Sequence, residues 1–131
     1  MAERKLPRLE PETAFYWTAG AEGVLRIQRC TECGTYQHPP FPRCSSCGSE
    51  AVAPEAVSGK GRLASYTVNR EAWVSGLAVP FVFGVVELAE QAQLYVFTNI
   101  LADEVRVGMP LTVSFEQHDD VWLPMFREEK A

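Results

Sequence analysis

The sequence predicts a mainly β protein in which a short N-terminal helix leads into a metal-held cysteine module and then into a five-stranded Greek-key barrel of the OB type. Three observations predict it. All the cysteines fall between positions 30 and 47, as two C-x-x-C pairs. Five runs rich in β-branched and aromatic residues follow, all beyond position 60. Ahead of the cysteines, PETAFYWTAGA (11–21) carries the punctuation of a helix. The expected segments are 1–24 (helical), 25–57 (cysteine module) and 58–131 (barrel).

In the helical segment, Pro11 suits a first turn, Glu12 the positive helix end, and Gly20 and Gly23 the exit. Ala14, Phe15, Trp17, Thr18 and Ala21 fall near one stripe. A helix this short holds only if its aromatics dock on something. Phe15, Tyr16 and Trp17 leave two docking grounds open, the chain's own body or a partner.

LRIQRC (25–30) alternates apolar and polar residues, as a strand running into the first cysteine pair. Cys30-Thr-Glu-Cys33-Gly34 and Cys44-Ser-Ser-Cys47-Gly48 have matching form. In such a knuckle both thiolates turn toward one point, and glycine after the second cysteine takes positive φ at least cost. Two knuckles offer four soft ligands at tetrahedral angles, which suits Zn²⁺ in a structural site. Pro39, Pro40 and Pro42 lower the entropy lost on ordering the intervening loop. A module of this size needs such a staple. Four protein thiolates leave no open coordination position, so Cys30, Cys33, Cys44 and Cys47 are read as holding a structural metal, not as activating water. Arg29 and Arg43 stand next to the knuckles and are expected to temper their charge. His38 is the rival ligand by residue type, but its offset from both pairs makes it a loop-packing or surface histidine.

SEAVAPEAVSGKG (49–61) reads as a connector of small residues. Strands are expected over 62–70, 80–88, 92–100, 111–117 and 121–127, with tight turns at AEQ and at HDD. The link 101–110 has room for one helical turn or a short strand. This spacing, with its longer excursion between the third and fourth strands, fits an OB barrel. Gly59, Gly61 and Gly84 are expected to permit bulges and sharp coiling.

The chain carries a net charge of −5, and residues 63–131 hold four basic against ten acidic side chains. That balance opposes general nucleic-acid binding, although zinc ribbons and OB folds both serve that use and a single-stranded nucleic-acid binder is one alternative reading. The N-terminal MAERKLPRLEPE has no apolar signal segment, and the longest mostly apolar run, 78–86, is too short for a bilayer. A reducing cytoplasm is expected, where clustered cysteines bind metal.

No catalytic set emerges. The thiols are engaged, and His118-Asp119-Asp120 falls at a hairpin turn. SGKG (58–61) precedes a strand instead of opening a helix, so it offers a phosphate no helix N-terminus. No nucleophile elbow, P-loop or dinucleotide fingerprint is present. Tyr66, Trp73, Phe81, Phe97, Trp122 and Phe126 exceed what so small a barrel easily hides. Most belong to the core. Trp73, in the loop NREAWVSGLAVP beside Arg70, is the candidate for contact with a protein or ligand.

The order of features resembles the family long called domain of unknown function 35. An aromatic helix precedes C-x-x-C-G…PP…C-x-x-C-G, then S-G-x-G, PFVFGVVEL, VGMPLTV and LPMFR. The resemblance runs from about Phe15 to Arg127 and implies a rubredoxin-like zinc ribbon joined to an OB fold. It further implies a non-catalytic subunit of a hetero-oligomer with a thiolase-like enzyme of acyl-CoA metabolism. The wording of the helix and of Arg-Cys…His-Pro-Pro is most similar to the branch whose partner is an aldolase, cleaving a steroid side-chain acyl-CoA by a retro-aldol step. There the ribbon and barrel form a separate chain or the end of a hydratase. Other branches serve acyltransferases or hydroxymethylglutaryl-CoA synthesis. On this reading acyl-CoA lies at the shared interface, where Lys60, Arg62 and Arg70 are candidates to meet coenzyme A phosphates.

Overall fold

The protein, analysed as a computed structural model, is described over residues 6–71 and 79–129. Its chain order is α1 (Ala14–Thr18), a 3-10 turn (Ala19–Glu22), β1 (Leu25–Cys30), β2 (Tyr36–Gln37) and β3 (Val52–Val57). The barrel strands follow: β4 (Lys60–Asn69), β5 (Phe81–Leu88), β6 (Tyr95–Leu101), β7 (Pro110–His118) and β8 (Val121–Glu128).

The helix is shorter than the sequence suggests. Pro11 lies in a turn ahead of it, held where Thr13 N–H and Ala14 N–H both donate to the Glu10 carbonyl. Five α-helical residues tighten into the 3-10 turn, which ends at Gly23 in the left-handed region. The aromatics settle on the chain's own body. Tyr16 joins the main core, and Trp17 packs on Val121, Leu123 and Met125 of β8. Gly20 lets this layer approach closely: a Cβ there would lie 2.6 Å from Phe115 Cδ1 and 2.6 Å from Trp122 Cβ.

The cysteine module is a three-stranded antiparallel sheet, β2-β1-β3. Residues 52–57, expected as connector, are in fact a strand paired to β1 along its whole length, from Leu25↔Val57 to Cys30↔Val52. β3 is an edge strand, which is where Pro54 is tolerated because it has no N–H to donate.

The second sheet closes in the order β4-β5-β6-β8-β7 and back to β4, with β6 and β8 parallel and the other pairs antiparallel. That is OB topology. Period-two alternation sends Leu63, Val86, Leu88, Val96, Leu111 and Phe126 inward, where all are buried. Gly84 does not carry a bulge. It faces Ile100 Cγ1 and Leu63 Cδ1, which an added Cβ would meet at 2.6 and 2.9 Å, and the irregularity sits on β4 between Leu63 and Ser65. The link between β6 and β7 forms neither helix nor strand. It folds under β4 through Gly108 N–H to Leu63 O (2.7 Å) and Leu63 N–H to Met109 O (3.0 Å).

The two sheets are tied together. Tyr36 N–H donates to Gln91 Oε1 (2.9 Å), and Gln91 Nε2 returns a bond to Tyr36 O (3.0 Å). Ser58 N–H donates to Glu90 Oε2 (2.8 Å).

Candidate metal centre and the adjoining cleft

The two knuckles are copies of one local structure. In each, the first cysteine's N–H reaches the carbonyl five residues on: Cys30 to Thr35 (2.9 Å) and Cys44 to Ser49 (2.8 Å). In each, the glycine N–H turns back to the first cysteine's carbonyl, at 2.9 Å in both. Gly34 and Gly48 adopt φ of +81° and +77°, a region that disfavours any side chain. The preceding arginine locks the turn. Arg29 Nε donates to Gly34 O (2.9 Å) and Arg43 Nη1 to Gly48 O (3.1 Å). Both guanidinium groups also meet carboxylates, Glu55 and Glu50, at 2.7 Å. These arginines therefore act first as braces of the knuckle backbone, and Arg29 in turn holds the Glu55 carboxyl below its ordinary pKa.

The folding-back brings the four sulfurs within 4.8 Å of one another. Cys30 and Cys47, and likewise Cys33 and Cys44, lie 3.6 Å apart. Zinc–sulfur bonds of about 2.3 Å set tetrahedral S···S edges at about 3.8 Å, so the quartet fits that ion. Backbone N–H groups of Cys33, Ser46 and Cys47 approach sulfur at 3.3–3.5 Å. Thr35 Oγ1 lies 3.2 Å from Cys33 Sγ and, hydrogen bonded to it, brings that thiol down to about 6. Cys47 goes the other way. The Ser49 backbone favours its thiolate, but sharing hydrogen bonds with the Cys30 and Cys33 sulfurs outweighs this and pushes it up to about 12. Such a quartet ionises completely only around a cation. Bound there, zinc would crosslink the ribbon; with four thiolates it would have no position left for water.

His38 is not among the quartet. Its ring packs on Tyr16 with centroids 4.7 Å apart, and its Nδ1 is buried without a partner. Burial lowers its pKa to about 4, so the ring is neutral at physiological pH, and burial likewise raises the Tyr16 phenol. Together with Trp17, Pro40, Tyr95 and Phe97 these two residues line a cleft of about 440 Å³ between the helix, the ribbon loop and β6. The sequence reading missed this cleft, although the outward phase of β6, Tyr95 and Phe97, was a signal for it.

Other candidates are scattered. Lys60 is paired with Glu129 and Arg62 with Glu87, while Arg70 is exposed. His118 closes β7 and meets Glu116 Oε1, and Asp119, with φ +56°, forms the turn with Asp120. Phe126 is core, Phe81 and Trp122 are half-buried, and Tyr66 and Phe97 are exposed. Trp73 lies outside the described residues.

A cysteine-quartet ribbon joined to an OB barrel defines a class, the zinc-ribbon/OB-fold proteins. Residues 17–53 match the model of the ChsH2 rubredoxin-like zinc ribbon domain, and residues 54–116 that of the ChsH2 C-terminal OB-fold domain. A solved structure described as an Ltp2-ChsH2(DUF35) aldolase superposes with a TM-score of 0.83 at 31% identity, covering 94% of this chain and 98% of that one. The chain belongs to this DUF35 family. It is 34% identical over 128 residues to a probable enoyl-CoA hydratase alpha subunit of Thermomonospora curvata, covering 96% of this chain and 40% of the relative. It is 31% identical to the 3-oxo-4,17-pregnadiene-20-carboxyl-CoA hydratase alpha subunit of Mycobacterium tuberculosis, covering 87% of this chain and 37% of that protein. The chain thus spans less than half the length of these hydratase subunits. The benzoylsuccinyl-CoA thiolase subunit BbsA of Thauera aromatica is 29% identical over 98 residues, 70% of this chain and 67% of that subunit. Among the described residues, no helix is long and apolar enough to cross a membrane.

Proposed function

We propose that this chain is a non-catalytic accessory unit that binds and completes a thiolase-like acyl-CoA enzyme. The enzyme in this reading is an aldolase acting on a steroid side-chain acyl-CoA. One observation carries the reading: the likeness to the Ltp2-ChsH2(DUF35) aldolase structure extends over nearly the whole of both chains. The side-chain chemistry agrees with it. The thiols are gathered into a closed quartet, half-buried His118 ends β7 against Glu116, and Asp119 and Asp120 stand exposed at the turn that follows.

In a retro-aldol step the β-hydroxyl of the acyl-CoA gives its proton to a base and the Cα–Cβ bond breaks. A ketone leaves, and the shortened acyl-CoA enolate takes up a proton. The partner would supply those groups, and this chain a rigid wall beside them. Acyl-CoA at the shared interface, with phosphates near Lys60, Arg62 and Arg70, belongs to the same proposal; Lys60 and Arg62 would exchange Glu129 and Glu87 for the ligand. A second reading, service to a thiolase or other acyltransferase, draws on the likeness to BbsA.

Co-expression with thiolase-like proteins of the source organism, one at a time, tests the reading. The expected result is a complex of fixed stoichiometry that cleaves a β-hydroxy steroid acyl-CoA, with little turnover by either component alone. Full activity of the partner without this chain, or turnover by this chain alone, overturns it. A complex that only condenses or thiolytically cleaves acyl-CoA favours the second reading.

A further inference from the structure

The outward face of the barrel between β4 and β6 breaks the usual rule that a solvated sheet face is polar. Register places Ser65, Val85 and Phe97 in one row across the three strands, and Thr67, Phe83 and Asn99 in the next. Neither row carries a charge. Only the row beyond them, Arg62, Glu87 and Tyr95, does, and its two ions pair with each other. Phe97 is 64% exposed, Phe83 40% and Tyr95 39%, and the Phe83 and Phe97 rings lie 6.4 Å apart.

This face runs directly into the cleft. Tyr95 and Phe97 form one wall, and the opposite wall is Trp17, Pro39 and Pro40. Among the described residues, no charged side chain lines it. A small molecule seated in the cleft would leave most of the Phe97 and Phe83 surface in water, whereas a protein surface would cover both. Contiguous apolar surface of this kind marks a protein contact. A second copy of the chain is a poor occupant, because a two-fold contact would juxtapose two barrels that each carry ten acidic against six basic groups over residues 58–131.

We infer that the face formed by Phe83, Val85, Tyr95 and Phe97, with the cleft beside it, is where the thiolase-like subunit docks. The partner inserts a large uncharged side chain between Tyr16 and Phe97 from a segment flanked by basic residues. This rests on the accessory-subunit reading and adds the surface to it. The ribbon contributes Pro39 and Pro40 to the docking site, so both halves of the chain are needed for it.

The test uses the full metal-loaded chain and the thiolase-like subunit that the unsubstituted chain retains on co-purification. Phe97→Asp places a charge at the centre of the face without touching the core, and Val107→Asp, at an equally exposed site (66%) on the β6–β7 link, is the control. Circular dichroism melts and metal content establish that both variants fold. Phe97→Asp is expected to weaken binding by about thirty-fold or more, as loss of an aromatic anchor does, and Val107→Asp to stay within about three-fold. Because Tyr16 and Trp17 fluoresce at the cleft, association should also shift emission in the control and not in Phe97→Asp. Equal affinity of Phe97→Asp and unsubstituted chain would overturn the surface while leaving the accessory reading intact. A self-dimer of the unsubstituted chain that Phe97→Asp converts to monomer would overturn it in favour of a second copy. No complex with any thiolase-like subunit would overturn both.

Discussion

Acidification should loosen this protein through His38 before it reaches the carboxylates. The imidazole is packed on Tyr16, its Nδ1 has no partner, and burial depresses its pKa to about 4, against about 6.5 for the unfolded chain. Between these values the unfolded state binds more protons than the folded one, so stability falls as pH drops. The contribution of the neutral ring is fully present above about pH 6.5 and is lost progressively as pH falls toward 4. Linkage gives a loss of about 2 kcal/mol at pH 5 and about 3 kcal/mol at pH 4. The lowered carboxyls of Glu55 and Glu87 add losses of the same sign further toward acid. The clean measurement is therefore a difference. Urea unfolding of metal-loaded chain and of His38→Gln, from pH 8 to 5, should give curves that converge by about 2 kcal/mol. The imidazole NMR titration should show no protonation above pH 5. Parallel curves, or a folded-state His38 titrating near 6.5, would refute the burial argument.

Three further outcomes are expected. Elemental analysis should find a single zinc ion per chain, and a strong chelator should melt the β1–β3 sheet, read by loss of its amide protection, because so small a sheet has little core without the crosslink. Gly20→Val should cost about 1–3 kcal/mol by overpacking against Phe115 and Trp122, seen as a melting point about 4–10 °C lower. Gln91→Ala removes both bonds to the Tyr36 backbone and should cost about 1–3 kcal/mol, with faster hydrogen exchange at Tyr36 while the barrel strands keep their protection.

How far the sequence could be read depends on the range of each interaction. The knuckles are local: the repeated Arg-Cys-x-x-Cys-Gly string places its own glycine turn, so the quartet was legible. The barrel strands were legible through alternation, with edges moved by a few residues. β3 was not, because Val-Ala-Pro-Glu-Ala-Val has small side chains, a central proline and four exposed positions. Such a segment becomes a strand only because β1 supplies a partner along its length. Gly84 was misread for a related reason. A glycine in a strand signals either a bulge or a close approach, and only the opposing Ile100 and Leu63 decide which. The Tyr16–His38 stack joins residues on different elements and left no local trace. Tyr95 and Phe97, outward on β6, signalled one part of the cleft, but the part built on that stack had to await the fold.

The metal centre and the apolar face are physically coupled, although one is crosslinked sulfur and the other exposed aromatic surface. The cleft draws its walls from three pieces, none stable alone: a helix of five residues, a proline loop between two knuckles, and one barrel strand. The knuckles fix the loop, the Tyr36–Gln91 pair fixes the ribbon on the barrel, and Tyr16 bridges helix and loop through His38. Loss of the ion would free the loop and with it one wall of the proposed docking face. Coupling of this kind is reciprocal in free energy. A partner that binds only the assembled cleft must then tighten metal binding by the quartet, by a factor that grows with partner concentration above its dissociation constant. Equilibrium competition for zinc against a chromogenic chelator, with and without the thiolase-like subunit, measures that factor. An unchanged zinc affinity at saturating partner would show that the ribbon loop takes no part in the contact.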